Sequence, residues 1–103
     1  MSNPNEIWGS RLKSAREAQG LSQKELGIRA GLDAFVASTR INRYELGVHK
    51  ADYLISTQLA LVLGVPVAYL YCNDDQLAQL ILCYSKLGDE TRLALLQQAQ
   101  RLI

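Results

Sequence analysis

The chain has 103 residues, is 49% hydrophobic and 20% charged, and carries a formal net charge of +1. That length admits one domain, or one domain with an appendage, and the composition belongs to a globular chain able to bury a modest core. No apolar run approaches the ~18 residues that span a bilayer, and Met1 to Glu6 lack the basic and apolar regions of a secretory leader.

The charge is nearly balanced throughout. Residues 1–72 hold eight Lys/Arg and six acids, a surplus of two; residues 73–103 hold three bases and four acids. There is no polybasic tail, which fits a protein that reads a particular site better than one that coats nucleic acid by charge. Cys72 and Cys83 stand eleven apart without a CxxC or Cys/His cluster. They read as two reduced thiols in a cytoplasmic protein, and no metal or other cofactor is expected.

Strand-like alternation of β-branched residues is absent, and the two prolines are Pro4 and Pro66. The chain therefore reads as all-α, with helices punctuated by glycine. A first helix is predicted from about Ile7 to Gln19, with Trp8, Leu12 and Ala15 on one face and Gly20 closing it. A second starts at Ser22, which with Glu25 forms a capping box flanked by Leu21 and Leu26 in staple positions. It turns Leu26 and Ala30 inward and stops at Gly31. A third ends near Leu46-Gly47, with Ile41 and Tyr44 inward. Its start is open: Asp33 caps a long helix, or Asp33 to Ala37 form an extended turn and the helix begins near Ser38. A fourth covers about Tyr53 to Leu63, with Ile55, Leu59 and Val62/Leu63 inward, and Pro66 opens a short fifth through about Tyr71. Asn73-Asp74-Asp75 break the chain and cap a sixth helix bearing Leu77, Leu80, Ile81 and Tyr84. Gly88-Asp89 break it again before a last helix bearing Leu93, Leu96 and Ala99.

The second and third helices form the informative pair. A two-turn helix, a bend and a second helix with a polar, cationic outer face is how a small protein puts side chains into a DNA groove. Ile41 and Tyr44 fix the inward side of the third helix, so Ser38, Thr39, Asn42 and Arg43 fall outside, and Arg40 can reach bases or a phosphate. Thr39 and Arg43 share one face at i, i+4, and Ser38 and Asn42 share the adjacent one. In a major groove, Arg43 can pair with guanine and Asn42 with adenine.

Five stretches carry a family likeness. They are Arg11 to Arg16, Gly20-Leu21-Ser22-Gln23-Lys24-Glu25-Leu26, Ala30-Gly31, Ile41-Asn42-Arg43-Tyr44-Glu45-Leu46-Gly47, and Leu59 to Pro66. Over roughly residues 7–71 the chain resembles the Cro/C1-type (xenobiotic-response-element-type) helix-turn-helix family, which includes the phage repressors. The resemblance implies a compact five-helix lambda-repressor-like domain that binds duplex DNA sequence-specifically, usually as a dimer. It implies that Gln23 contacts a backbone phosphate, that residues at and one turn beyond the start of the third helix reach base edges, and that Arg16 and Glu45 form an ion pair between the first and third helices. It also places the loop of His49 and Lys50 beside the phosphate backbone, with Lys50 the better contact. One departure stands out: thirteen positions separate Gly31 from Tyr44, more than the family pattern uses, with the extra residues inside Leu32 to Ser38.

Several other residues read less sharply. Arg11 and Lys13 either add charge near phosphates or serve solubility. Tyr69 and Tyr71, beside Leu70, read as core or interface. Residues 74–103 lie outside the likeness as a two-helix extension. Their apolar stripe of Leu80, Ile81, Leu93 and Leu96 must be covered, either by folding back on the domain or by the same element of a second subunit. A separate small-molecule domain has no room.

The sequence therefore reads as a homodimeric transcription regulator, a repressor on an inverted-repeat operator. The competing reading is an antitoxin or adaptor that keeps the fold for protein interaction. Catalysis has almost nothing behind it, with one histidine, no glycine-rich phosphate loop and no paired acids in an expected cleft.

Overall fold

The structure, a computed structural model, describes residues 3–103. Among the described residues there are seven helices and no strand: α1 (Pro4–Ala18), α2 (Gln23–Arg29), α3 (Ala37–Glu45), α4 (Tyr53–Leu63), α5 (Val67–Tyr71), α6 (Asp75–Ser85) and α7 (Asp89–Leu102).

Helix α1 starts earlier than its apolar periodicity predicts. Asn3 is its N-cap, its side-chain oxygen accepting from the Asn5 amide at 2.8 Å, and Pro4 occupies the first helical position. Both residue types suit those places: the Asn side chain satisfies a free amide, and proline has none to satisfy. At α2 the capping box is complete, with Ser22 Oγ accepting from the Glu25 amide at 3.0 Å and Glu25 accepting from the Ser22 amide at 2.9 Å.

The core lies among α1 to α5. Leu12, Leu26, Ile41, Leu59, Leu63 and Leu70 are fully buried, one or two from each of the first five helices. Trp8 meets Tyr44 edge to face, with ring centroids 5.7 Å apart, which locks α1 to α3. Tyr69 is buried in this core, while the exposed Tyr71 donates its hydroxyl to buried Ser56 Oγ at 2.9 Å. Arg11 belongs to the scaffold: it donates to the Cys72 carbonyl and to Asp75 at 2.9 Å each, which pins the start of α6 to α1. Its charge is therefore already paired.

The C-terminal pair of helices behaves unevenly. Helix α6 buries Ala78 and partly buries Ile81 and Leu82 against the core. Helix α7 has no buried residue. It is attached through Arg92, which donates to the carbonyls of Tyr84 and Ser85 at 3.0 and 2.9 Å and lies over the Tyr84 ring. The radius of gyration, 15.0 Å, exceeds the ~13 Å of a compact domain this long, because α7 stands off the body.

Candidate nucleic-acid interface

Helices α2 and α3 meet at Gly27 and Ala37. A Cβ added at Gly27 would lie 2.7 Å from the Ala37 Cβ and 3.0 Å from its Cα. Glycine at that crossing therefore sets how closely the two helices approach. The turn that follows needs a left-handed residue, supplied by Gly31 at φ +95°. The Leu32 amide then bonds back to the Gly27 carbonyl at 2.9 Å.

Next the chain makes its extra excursion. Asp33 does not cap a long helix. Its carboxylate accepts from the Phe35 amide at 2.8 Å and its carbonyl from the Val36 amide at 3.1 Å, closing a compact turn. Helix α3 begins at Ala37, one residue before the later of the two expected starts, and Val36 offers it no side-chain cap.

With Ala37, Ile41 and Tyr44 buried, the helical period turns Thr39, Asn42 and Arg43 directly away from the core, with Ser38 and Arg40 on the two flanks. All five are exposed. Asn42 lies toward α2, within hydrogen-bond distance of Gln23. Thr39, Arg40 and Arg43 line a shallow depression together with Phe35 and Val36. The loop after α3 folds against its last turn, where the Val48 amide bonds the Arg43 carbonyl at 3.0 Å, and the His49 ring lies 3.5 Å from the Arg43 guanidinium. His49 and Lys50 are both exposed on that loop.

Behind this face is a charged hydrogen-bond network. Arg16 Nε donates to Glu45 Oε2 at 2.6 Å, Arg16 Nη2 to Oε1 at 3.1 Å, and Arg16 Nη1 to the Leu21 carbonyl at 2.9 Å. The Glu45 side chain is only 4% exposed and that of Arg16 13%. The hydrogen bond to Glu45 raises the guanidinium's proton affinity above its ordinary range, against the opposing effect of burial. One fork thus ties α1, the α1–α2 turn and α3 together.

Gln23 extends the network outward. Its side-chain nitrogen donates to Glu45 Oε1 at 3.1 Å and to Asn42 Oδ1 at 3.2 Å. Both amide hydrogens are occupied within the protein, so Gln23 meets a phosphate only by exchanging one of those bonds. Sequence reading placed Gln23 at the interface but gave no sign of its link to Asn42, because the two lie nineteen positions apart. It also passed over Gly27 and Phe35. The small residue at the centre of α2 was the one available signal for the first, and nothing local marks the second as exposed.

The family model described as "Helix-turn-helix" matches residues 12–70. Among solved structures, the chain is similar to the "Crystal structure of transcriptional regulator BswR", with 48% identity and a TM-score of 0.86 over 90% of this chain and 92% of that one. No curated protein matches the chain.

Proposed function

Because the chain belongs to the Cro/C1-type helix-turn-helix family of DNA-binding transcription regulators, we propose that it is a repressor whose α3 enters the major groove of an inverted-repeat operator, bound by two copies. The observation that carries this reading is the outer face of α3. Five polar or cationic side chains stand exposed opposite Ala37, Ile41 and Tyr44, on a helix fixed from behind by Arg16 and Glu45.

Within that reading the residues divide by role. Arg43 and Asn42 read guanine and adenine edges, and Thr39, at the centre of the face, packs between them. Ser38 and Arg40 reach the flanks of the half-site. Lys50 meets the phosphate backbone, which positions the protein without specifying sequence. On docking, a phosphate oxygen replaces Asn42 Oδ1 as acceptor for Gln23, releasing Asn42 toward a base.

The second copy is supported by energetics and by the C-terminal helices. One module alone binds at the ~10⁻⁴–10⁻⁶ M of non-specific contact, whereas two modules reading half-sites ~34 Å apart gain from avidity. A groove of about 450 Å³, lined almost wholly by apolar atoms of Pro66, Leu77, Leu80, Tyr84, Leu96 and their neighbours, lies open between α5, α6 and α7. Leu80 is 49% exposed and Leu96 52%. The same face of another subunit covers both. Repression by occlusion asks only for tight occupancy of a site overlapping a promoter, which such a dimer supplies.

Selection of bound sequences from a random duplex pool at stated salt tests DNA reading and symmetry together. The expected product is an inverted repeat of two half-sites, and a pool without enrichment overturns the proposal. Sedimentation of the native protein and of Leu80→Asp tests the dimer. A shift from dimer to monomer in the variant supports the α6–α7 interface, and a native monomer with and without DNA refutes it.

A further inference from the structure

The extended turn between α2 and α3 sets the chain's one phenylalanine in the open. Phe35 is 99% exposed. Single exposed apolar residues are ordinary, so exposure alone says little; its setting says more. The backbone that carries the ring is held at both ends, by the Asp33 carboxylate on the Phe35 amide and by the Val36 carbonyl, which accepts from the Arg40 amide at 2.8 Å as α3 begins. The backbone that presents the ring is therefore held in place. It also shares its depression with Val36, Thr39, Arg40 and Arg43. An apolar ring on the turn before α3, lining one depression with two arginines of that helix, matches a DNA surface that is anionic at its rim and carries one apolar group inside. In the major groove that group is the 5-methyl of thymine.

We propose that Phe35 is a specificity-determining residue that packs on a thymine methyl at one position of each half-site, using the extra length of the turn to reach it. This rests on the major-groove reading of α3. Arg40 and Arg43, lining the same depression, hold the ring against that base through the neighbouring phosphate and guanine.

The test uses Phe35→Ala, whose fold is checked by circular dichroism and melting temperature, and the duplex recovered by selection with the native protein. Each thymine of that duplex is replaced in turn by deoxyuridine, which differs only by the methyl group. Native protein is expected to lose about fourfold in affinity at one thymine per half-site, the equivalent of ~0.8 kcal/mol for one buried methyl. Phe35→Ala is expected to bind the thymine and uracil duplexes alike, and its own selected motif to lose that thymine. The proposal is overturned if Phe35→Ala keeps the uracil penalty, or if it weakens specific and scrambled duplexes equally. A native protein that enriches no motif brings down the major-groove reading and this one with it. A native motif that Phe35→Ala leaves unchanged brings down this one alone.

Discussion

Replacing Arg16 by alanine asks whether a charge pair holds α3 in place. In the native fold Glu45 is almost wholly buried, and three of the four bonds around this pair come from Arg16: two to the carboxylate and one to the Leu21 carbonyl. Arg16→Ala leaves the carboxylate with the Gln23 amide at 3.1 Å as its one remaining partner. Stranding one member of a buried pair costs ~3–5 kcal/mol, and the partial access of water to Arg16 places this case near ~3 kcal/mol. For a domain of this size each kcal/mol moves the melting temperature by ~4–8 °C, so a fall of at least ~12 °C is expected. The loss should also appear as a lower urea midpoint with an unchanged slope. Arg16→Lys, which keeps the charge but not the planar fork, should fall between the two. Arg16→Met combined with Glu45→Met should regain much of the loss, because no buried charge is left unpaired. The guanidinium's proton affinity is raised by its partner, so the pair's contribution is complete below the ordinary arginine range and is lost only as pH rises beyond it. The defect should therefore be the same at pH 6 and pH 8. A melting temperature unchanged in Arg16→Ala would refute this account of the pair.

Three further outcomes follow from particular contacts. Gly27→Ala drives a methyl group to 2.7 Å from Ala37 Cβ, so α3 must shift; a stability loss of ~1–3 kcal/mol by urea denaturation is expected, with weaker operator binding. Glu25 is held below the usual carboxylate range, first by the Ser22 amide and then by the Ser22 hydroxyl. Because the folded value is the lower one, its contribution is complete above the ordinary carboxylate range and fades as pH falls through the lowered value. The melting-temperature gap between native protein and Glu25→Ala should therefore shrink on acidification. Lys50→Ala should weaken binding to all duplexes alike and reduce the slope of log affinity against log salt by about one, measured by fluorescence anisotropy.

What could be read from the sequence was what local chemistry decides. Ser22 and Glu25 bond each other's amides within three residues, so α2 announces itself. Trp8, Leu12 and Ala15 recur with the helical period and are buried together. The start of α1 lies outside its apolar periodicity, in the capping Asn3 and the first-turn Pro4. Asp33 was ambiguous for a physical reason: the same carboxylate that caps a helix also closes a turn, as it does here. The Gln23–Asn42 bond joins distant residues and required the fold. In the extension the apolar stripe was legible, but its distribution was not. Helix α6 is seated by buried Ala78 and by the Arg11–Asp75 pair, while α7 buries no residue and is held by Arg92.

The central claim is that the outer face of α3 reads bases. Two selections from one random duplex pool, with native protein and with Arg43→Ala at the same salt, test it most directly. The expected result is a variant motif that loses one guanine per half-site, at a cost of ~1–3 kcal/mol on the native site, while every other position is retained. The same motif recovered from both proteins, with binding merely weaker in the variant, would contradict it.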